Sequence, residues 1–339
     1  MQQRAALFDG KNLRIVDHPL RKIKAGEVLI KVRACGICGT DIKIVAGQSA
    51  ARPPVVLGHE FCGIVEKTGS RVKGVAANDY VAVDPNIVCG ECQFCRAGKI
   101  QLCQNLRALG VDIDGGFAEY CIVPAKQCYH IPETINSHHA VLLEPLSCAL
   151  YGFQKAGVKS ADSVVIVGGG MIGLLMLKLC RLSAAKQIVM IEPDKSRRKL
   201  LTDAGADEVI DPQDEHFCES VMDITAGGAD VAIECVGSAA TVKQAYTLLK
   251  RGGRLVIFGV SPPDQFWSVT PYDIFRNDIT ITGSFLNPFT FQAAVDLVAQ
   301  LKINLNFIDI RAFALSEIVS AFENQIQRKN LKTVIDLTL

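Results

Sequence analysis

The sequence predicts an α/β protein in two parts, a β-rich domain and a doubly wound parallel sheet. Three observations carry this. At 339 residues the chain is long enough for about two domains. Its first 150 residues or so run as short β-like stretches broken by Gly, Pro and Asp turns, whereas from Ser160 apolar runs alternate with helical patterns. The first of those later runs ends in Gly168-x-Gly170-x-x-Gly173, a turn that opens an apolar helix.

Taken in order, examples of the early β-like runs are Arg4–Phe8, Val28–Ala34, Tyr80–Val83 and Phe117–Val123, and the succession suggests an irregular, antiparallel, barrel-like domain. The later runs are Ser163–Val167, Gln187–Ile191, Glu208–Ile210, Val231–Cys235, Arg254–Phe258 and Ile279–Gly283. With helices between them they read as a doubly wound sheet. After Ser284 the rhythm changes to helices near Phe291–Leu301 and Leu315–Gln327 and a last strand, Lys332–Leu337, which would return to the first domain. The expected division is 1–150 with 286–339, and 151–285.

Composition narrows the function. Apolar residues make up 49% of the chain, which suits a folded protein. Lys plus Arg total 36 against 35 acids, so charge gives no reason to expect nucleic acid or an anionic membrane as partner. The longest uncharged run, Ser163–Leu177, is short of the roughly 20 residues a membrane span needs. No signal pattern opens at Met1-Gln2-Gln3-Arg4, and the expectation is a soluble, cytoplasmic protein. Thirteen cysteines, an odd count, suit metal better than a disulfide framework.

The glycine turn has the context a dinucleotide site requires: a strand before it, a helix after it, and an acid at the end of the next strand. Gly168 permits the tight turn, Gly170 lets backbone approach a pyrophosphate, and Gly173 lets helix and strand pack closely. The first helical residues, Met171 and Ile172, would present N–H donors to the diphosphate. Glu192, 19 residues after Gly173, would accept hydrogen bonds from the adenosine ribose and repel a 2′-phosphate, which favours NAD over NADP. Arg197 and Arg198 could bind such a phosphate, or simply line the solvated face of the next helix. A glycine turn that only packs strand on helix is the plainer alternative for the motif.

Two constellations point to metal. Cys89, Cys92, Cys95 and Cys103 follow C-x2-C-x2-C-x7-C, four thiolates able to close a tetrahedron around zinc with no open position. A nucleic-acid zinc ribbon would share these cysteines but bring a basic surface, which this chain lacks. The second set is dispersed: Cys38 in CGICGTD, His59 and Glu60 in GHE, and Glu144 in LLEPL. Thiolate, imidazole and carboxylate would hold an ion and leave a position free for catalysis. A carboxylate in the shell also admits manganese or another divalent ion. Each residue has an ordinary reading too: a core cysteine, a turn histidine, a capping acid. Cys35 with Cys38 forms a C-x2-C, but no thioredoxin-like unit surrounds it.

With CGICGTD (Cys35–Asp41), GHE (Gly58–Glu60), the four-cysteine loop, DGGFAEY (Asp114–Tyr120), LEPL (Leu143–Leu146), GGGMIG (Gly168–Gly173) and ECVG (Glu234–Gly237), the chain resembles the zinc-containing medium-chain dehydrogenases over essentially its whole length. Within them it is most similar to sorbitol dehydrogenase-like polyol dehydrogenases. The resemblance implies a GroES-like catalytic domain, a Rossmann domain, and one catalytic and one structural zinc per chain. It also implies reversible oxidation of a secondary hydroxyl on a polyol or polyol phosphate by NAD, in a homodimer or homotetramer. Cys38, His59 and Glu60 would hold the catalytic zinc with Glu144 nearby, Thr40 would pass on the proton, and Asp41 would orient the zinc shell from behind. Cys235, Val236, Gly259, Val260 and Ser284 would border the nicotinamide. One position departs from the pattern: many relatives carry a histidine at about the place of Lys43, so the proton would leave by water or the cofactor ribose, or Lys43 would meet an anionic substrate; an ordinary exposed lysine is the plainer reading. A regulator that binds NAD and carries only the structural zinc is the alternative function.

Overall fold

Period-2 burial builds the first sheets. In the computed structural model, which describes residues 2–339, Gln2–Phe8 (β1) turns Gln3 and Ala5 inward while Gln2 and Arg4 face water, and beyond Ala5 the other face is covered too, at Ala6 and Phe8. It pairs antiparallel with Leu13–Pro19 (β2). Glu27–Gly36 (β3) then leads into a short helix, Gly39–Val45 (α1), and Val55–Val56 (β4) pairs back onto β1. Glu60–Thr68 (β5) and Tyr80–Val83 (β6) extend a second sheet. A cysteine-rich loop follows, with Asn86–Ile87 (β7) and Arg107–Ala108 (β8) paired and Gln93–Arg96 (α2) between them. Tyr120–Pro124 (β9), Cys128–His130 (β10), Ser137–Ala140 (α3) and Leu143–Ala156 (α4) complete this stretch.

From Ser163 the strands are parallel: Ser163–Val167 (β11), Gln187–Ile191 (β12), Glu208–Ile210 (β13), Ala229–Glu234 (β14), Leu249–Ile257 (β15) and Thr280–Gly283 (β16). Met171–Leu182 (α5), Lys195–Asp203 (α6), Phe217–Ile224 (α7), Ala239–Thr247 (α8) and Pro271–Asn277 (α9) connect them. Their order across the sheet is β13-β12-β11-β14-β15-β16, so the direction of winding reverses between β11 and β14. Every residue of β11 is buried, as a strand covered on both faces requires.

The tail adds Phe291–Ala299 (α10), Ile310–Ala314 (β17), Ile318–Ile326 (α11) and Lys332–Asp336 (β18). It belongs with the first strands. The second sheet runs β10-β6-β5-β3-β18-β17, with β9 also on β3. The chain thus divides into Met1–Ser147 with Pro288–Leu339, and Cys148–Asn287. Phe61, Phe117, Phe322 and Ile335 share the core of the first unit, and Phe117 meets Phe322 edge-on at 6.0 Å. Burying each large side chain of this kind contributes about 1.5–3 kcal/mol. In the second unit Val165, Val189, Ala232 and Leu255 from four adjacent strands pack together.

Three differences from the sequence reading have local causes. The strand expected from Phe117 starts at Tyr120, because Gly115, Gly116 and Phe117 donate instead to the carbonyls of Val56, Gly58 and Leu57 at 2.8, 2.7 and 3.0 Å. β15 starts at Leu249 rather than Arg254, since Leu249 already pairs with Ala229 across a bulge. The last helix begins at Ile318, after a tighter 3-10 turn over Leu315–Glu317.

Candidate functional site

In the first unit the geometry starts from β3 and β5, whose register sets Gly36 opposite Glu60 and Cys35 opposite Phe61. Gly58 approaches this pair in a left-handed conformation, φ +90°, and a Cβ there would stand 2.7 Å from Cys35 Sγ. The DGGF segment fixes it. Gly116 donates to the Gly58 carbonyl, and Asp114 accepts from Val56 N–H at 3.0 Å. This motif therefore acts as a backbone clamp that sets the direction in which His59 and Glu60 leave the turn.

Cys38 caps α1, and its N–H donates to Asp41 Oδ2 at 2.8 Å. The helix start and the β5 start bring Cys38, His59 and Glu60 together with ligand atoms all within 4.8 Å of one another. Asp41, completely buried, stands behind His59 with its Oδ1 3.5 Å from Nδ1. Neither of those two atoms has a hydrogen-bond partner. Sulfur, imidazole and carboxylate converging in a buried pocket are a donor set suited to zinc, and the orphaned imidazole–carboxylate pair behind them is the arrangement that orients a metal-bound histidine. Burial opposes a charge on His59, yet Asp41 and the Cys38 sulfur outweigh it and hold its pKa well above the ordinary histidine value. Such accumulated negative charge calls for a cation.

One cation is already present. Lys332 Nζ pairs with Glu60 Oε2, both residues almost fully buried. Burial works against its charge, but Glu60, Cys38 and Asp41 together raise its pKa above the ordinary lysine value. The sequence reading missed Lys332; it opens a short strand, KTVID, that also carries Thr333 and Asp336, so no local signal set it apart. Glu144 lies buried in the first turn of α4 and stands outside the group formed by Cys38, His59 and Glu60. Thr40 and Lys43 are half-buried on α1.

The cysteine loop gathers all four thiols, again with sulfurs within 4.8 Å of one another. Cys103 Sγ is 3.5 Å and Cys95 Sγ 4.0 Å from Cys89 Sγ, far longer than a disulfide and close to the roughly 3.8 Å edge of a tetrahedron with zinc–sulfur bonds of about 2.3 Å. Backbone N–H groups of Cys92 and Asn105 point at the sulfurs of Cys89 and Cys103, each at 3.4 Å. The N–H groups of Cys95 and Gln104 pull the Cys92 thiol down to about 6, whereas desolvation pushes Cys95 up to about 12.

In the second unit Gly168 sits at φ +100°, and Gly173 packs so closely that a Cβ would collide with the Gly168 carbonyl. Gly170 caps α5 without a side chain, and a Cβ there would meet nothing within 4 Å, so the helix N-terminus opens outward at Met171 and Ile172. That cradle suits a diphosphate. Glu192 is buried and accepts from Gly169 N–H at 2.7 Å and Asp194 N–H at 2.9 Å. Gly169, the middle glycine, is required because a Cβ would lie 2.8 Å from Glu192 Oε2. Arg198 is tied to the carbonyls of Glu192 and Pro193 and to Asp211, so it braces the turn. Arg197 is half-buried at the start of α6. Cys235 continues β14, its N–H reaching the Val167 carbonyl at 2.9 Å, while Val236 and Val260 are exposed beside it. Gly259 follows β15, and Ser284, after β16, donates to Ile257 at 3.0 Å.

Comparison with known proteins agrees with both halves. Residues 24–133 match the alcohol dehydrogenase GroES-like domain and residues 171–300 the zinc-binding dehydrogenase domain. The chain is 41% identical to the L-threonine 3-dehydrogenase of Pyrococcus horikoshii, over 75% of this chain and 74% of that one. It is 32% identical to the sorbitol dehydrogenase of Halalkalibacterium halodurans, over 86% of each. A zinc-binding dehydrogenase of Sinorhizobium meliloti 1021, solved bound to NADP, is 38% identical with a TM-score of 0.94 over 99% of both chains. Among the described residues no helix is long and apolar enough to cross a membrane.

Proposed function

This chain belongs to the zinc-containing medium-chain dehydrogenase family, and we propose that it acts on a secondary alcohol flanked by further oxygens. The reading is reversible oxidation of a polyol, sugar alcohol or sugar-alcohol phosphate to the ketone, with hydride passing to NAD. The observation that carries it is the convergence of Cys38, His59 and Glu60.

These three residues would hold the catalytic ion, and the four-cysteine loop a structural one. When bound, the ion supplies Lewis acidity of the kind that takes water from a pKa of about 15.7 to about 7, and NAD supplies the hydride acceptor. The chain's own groups do the rest. Asp41 holds the His59 ring from behind. Lys332 pairs with Glu60 and gives this buried carboxylate a counter-charge. Thr40, two residues along the helix from Cys38, receives the substrate proton and hands it outward, and no histidine follows it because Lys43 occupies that place. On the other unit the N–H groups at Met171 and Ile172 take the diphosphate, and Glu192 takes the ribose. The buried carboxylate of Glu192 and the engaged Arg198 support NAD over NADP. Free thiols in both clusters suit a reducing, cytoplasmic setting. Assembly into a dimer or tetramer is supported by the exposed rings of Phe266, Tyr272 and Phe275.

A second reading, L-threonine oxidised at its 3-hydroxyl, is favoured by the Pyrococcus relative. One screen separates them: NAD and NADP reduction with sugar alcohols, their phosphates and L-threonine. Metal analysis accompanies it. The protein should carry about two zinc ions per chain, and Cys38→Ser about one with no turnover. A fully active Cys38→Ser protein would overturn the catalytic assignment, and an intact protein that binds NAD yet oxidises nothing would favour a regulator.

A further inference from the structure

We propose that Glu234 is a positioning residue for the nicotinamide-ribose half of the dinucleotide, an inference that rests on the dinucleotide reading above. Glu234 ends β14 and is completely inaccessible to solvent, so it acts through its neighbours. Its Oε1 accepts from Val236 N–H and Gly237 N–H, both at 2.7 Å, with the Thr241 hydroxyl at 2.9 Å. Its main-chain carbonyl accepts from Phe258 and Gly259, both at 3.0 Å. One residue thus ties the turn after β14, the first turn of α8 and the turn after β15.

Close packing extends the tie. A Cβ on Gly259 would stand 2.7 Å from Glu234 Oε2, one on Gly237 2.7 Å from the Val260 backbone, and one on Gly168 2.6 Å from Val236 Cγ2. The turns after β11, β14 and β15 are therefore locked to each other. They lie at the carboxyl ends of strands flanking the winding reversal, where open α/β sheets bind their ligands. Gly170 and Glu192 serve the adenosine end on the β11–β12 side, which leaves the β14–β15 side to the other half. Glu234 Oε2 is buried with no hydrogen-bond partner. An orphaned carboxylate oxygen destabilises a fold, so its presence here suits a role in the crevice better than one in stability.

The test uses the full chain and two probes: NADH, followed by fluorescence, and ADP, which carries only the adenosine end and the diphosphate. In Glu234→Gln the acceptor is weaker and an amide meets Gly259. NADH affinity should fall about tenfold while ADP affinity changes less than about twofold. Thr241→Val, which removes one hydroxyl at nearly constant shape, should shift the same ratio by about threefold and carries the test alone if Glu234→Gln fails to fold. Equal losses for both probes, or no loss for either, would overturn the proposal. An unaltered chain that binds neither probe would instead refute the dinucleotide reading.

Discussion

Lys332 and Glu60, 272 residues apart in sequence, form an ion pair across Gly36 in the interior of the first unit. The pairing is possible because Gly36 has no side chain: a Cβ there would stand 2.7 Å from Lys332 Cε. β18 pairs with β3 and β3 with β5, so the C-terminal strand delivers a cation to the residue at the other end of a three-strand ladder. The fold thus carries an internal counter-ion for its candidate metal-binding carboxylate.

Removing that counter-ion leaves Glu60 buried and unpaired, which typically costs about 3–5 kcal/mol. Lys332→Met should therefore lower the urea midpoint strongly in metal-free protein. Zinc should recover much of the loss, since the ion offers Glu60 another partner. Melts with and without a chelator read both effects. An equal loss in the presence and absence of zinc would show that Glu60 does not face the ion.

The clamp behind His59 makes a separate prediction. Gly58→Ala adds a Cβ 2.7 Å from Cys35 Sγ at φ +90°, so strain and collision coincide. The variant should lose about 1–3 kcal/mol of stability and bind the first-unit zinc more weakly, while the four-cysteine loop keeps its metal. Zinc content per chain after dialysis distinguishes the two sites.

How much of this was legible in the sequence follows from the range of each interaction. Ser163–Val167 and Gln187–Ile191 were read to the residue because short apolar runs flanked by turns are local signals. The glycine turn and the four-cysteine loop were legible for the same reason. β2, β5 and β17 were not foreseen: their mixed side chains make strands only by pairing with β1, with β3 and β6, and with β18. The resemblance carried by CGICGTD and GHE singled out Cys38, His59 and Glu60, which spacing alone could not join, but could not find Lys332, whose partner is set by strand order, nor the duty of Gly169, which is set by Leu201 and Glu192 packing against it.

Acid should destabilise the fold through its paired carboxylates. The hydrogen bonds from Arg21 lower the pKa of Glu27. At Asp336 desolvation acts upward, but the bonds from Thr338 and His138 outweigh it and the net shift is also downward. Folded values below the unfolded ones mean that the unfolded chain binds protons more readily. This stability is therefore complete above the unfolded range near pH 4 and is lost as pH falls through the folded values. In metal-free protein urea midpoints should drop as pH falls below about 4, with a shallower drop in Glu27→Gln. A midpoint insensitive to pH 3 would refute this account.

Metal loss from the cysteine loop should come at a different pH. Cys92 is the thiol that ionises most readily, at about 6, while Cys95 holds its proton up to about 12 until a metal displaces it. Zinc release should steepen as pH falls through about 6, and the freed segment 89–103 should become the first site of proteolytic nicking. Cys103→Ser should produce the same nicking at neutral pH.

On the proposed reading Glu192 selects NAD over NADP, and its two backbone bonds complicate the obvious experiment. In Glu192→Ser the N–H groups of Gly169 and Asp194 lose their acceptor, which costs about 1–3 kcal/mol for each one left buried without a partner. Activity will fall for that reason alone, so the quantity to measure is the ratio of kcat/KM for NAD and NADP. Removing the carboxylate removes its repulsion of a 2′-phosphate without adding a cation, and Arg198 stays engaged with Asp211. The ratio should move toward NADP by about tenfold, roughly 1.4 kcal/mol, and stop well short of reversal. An unaltered protein that already uses NADP as well as NAD would show that Glu192 serves only the turn it braces.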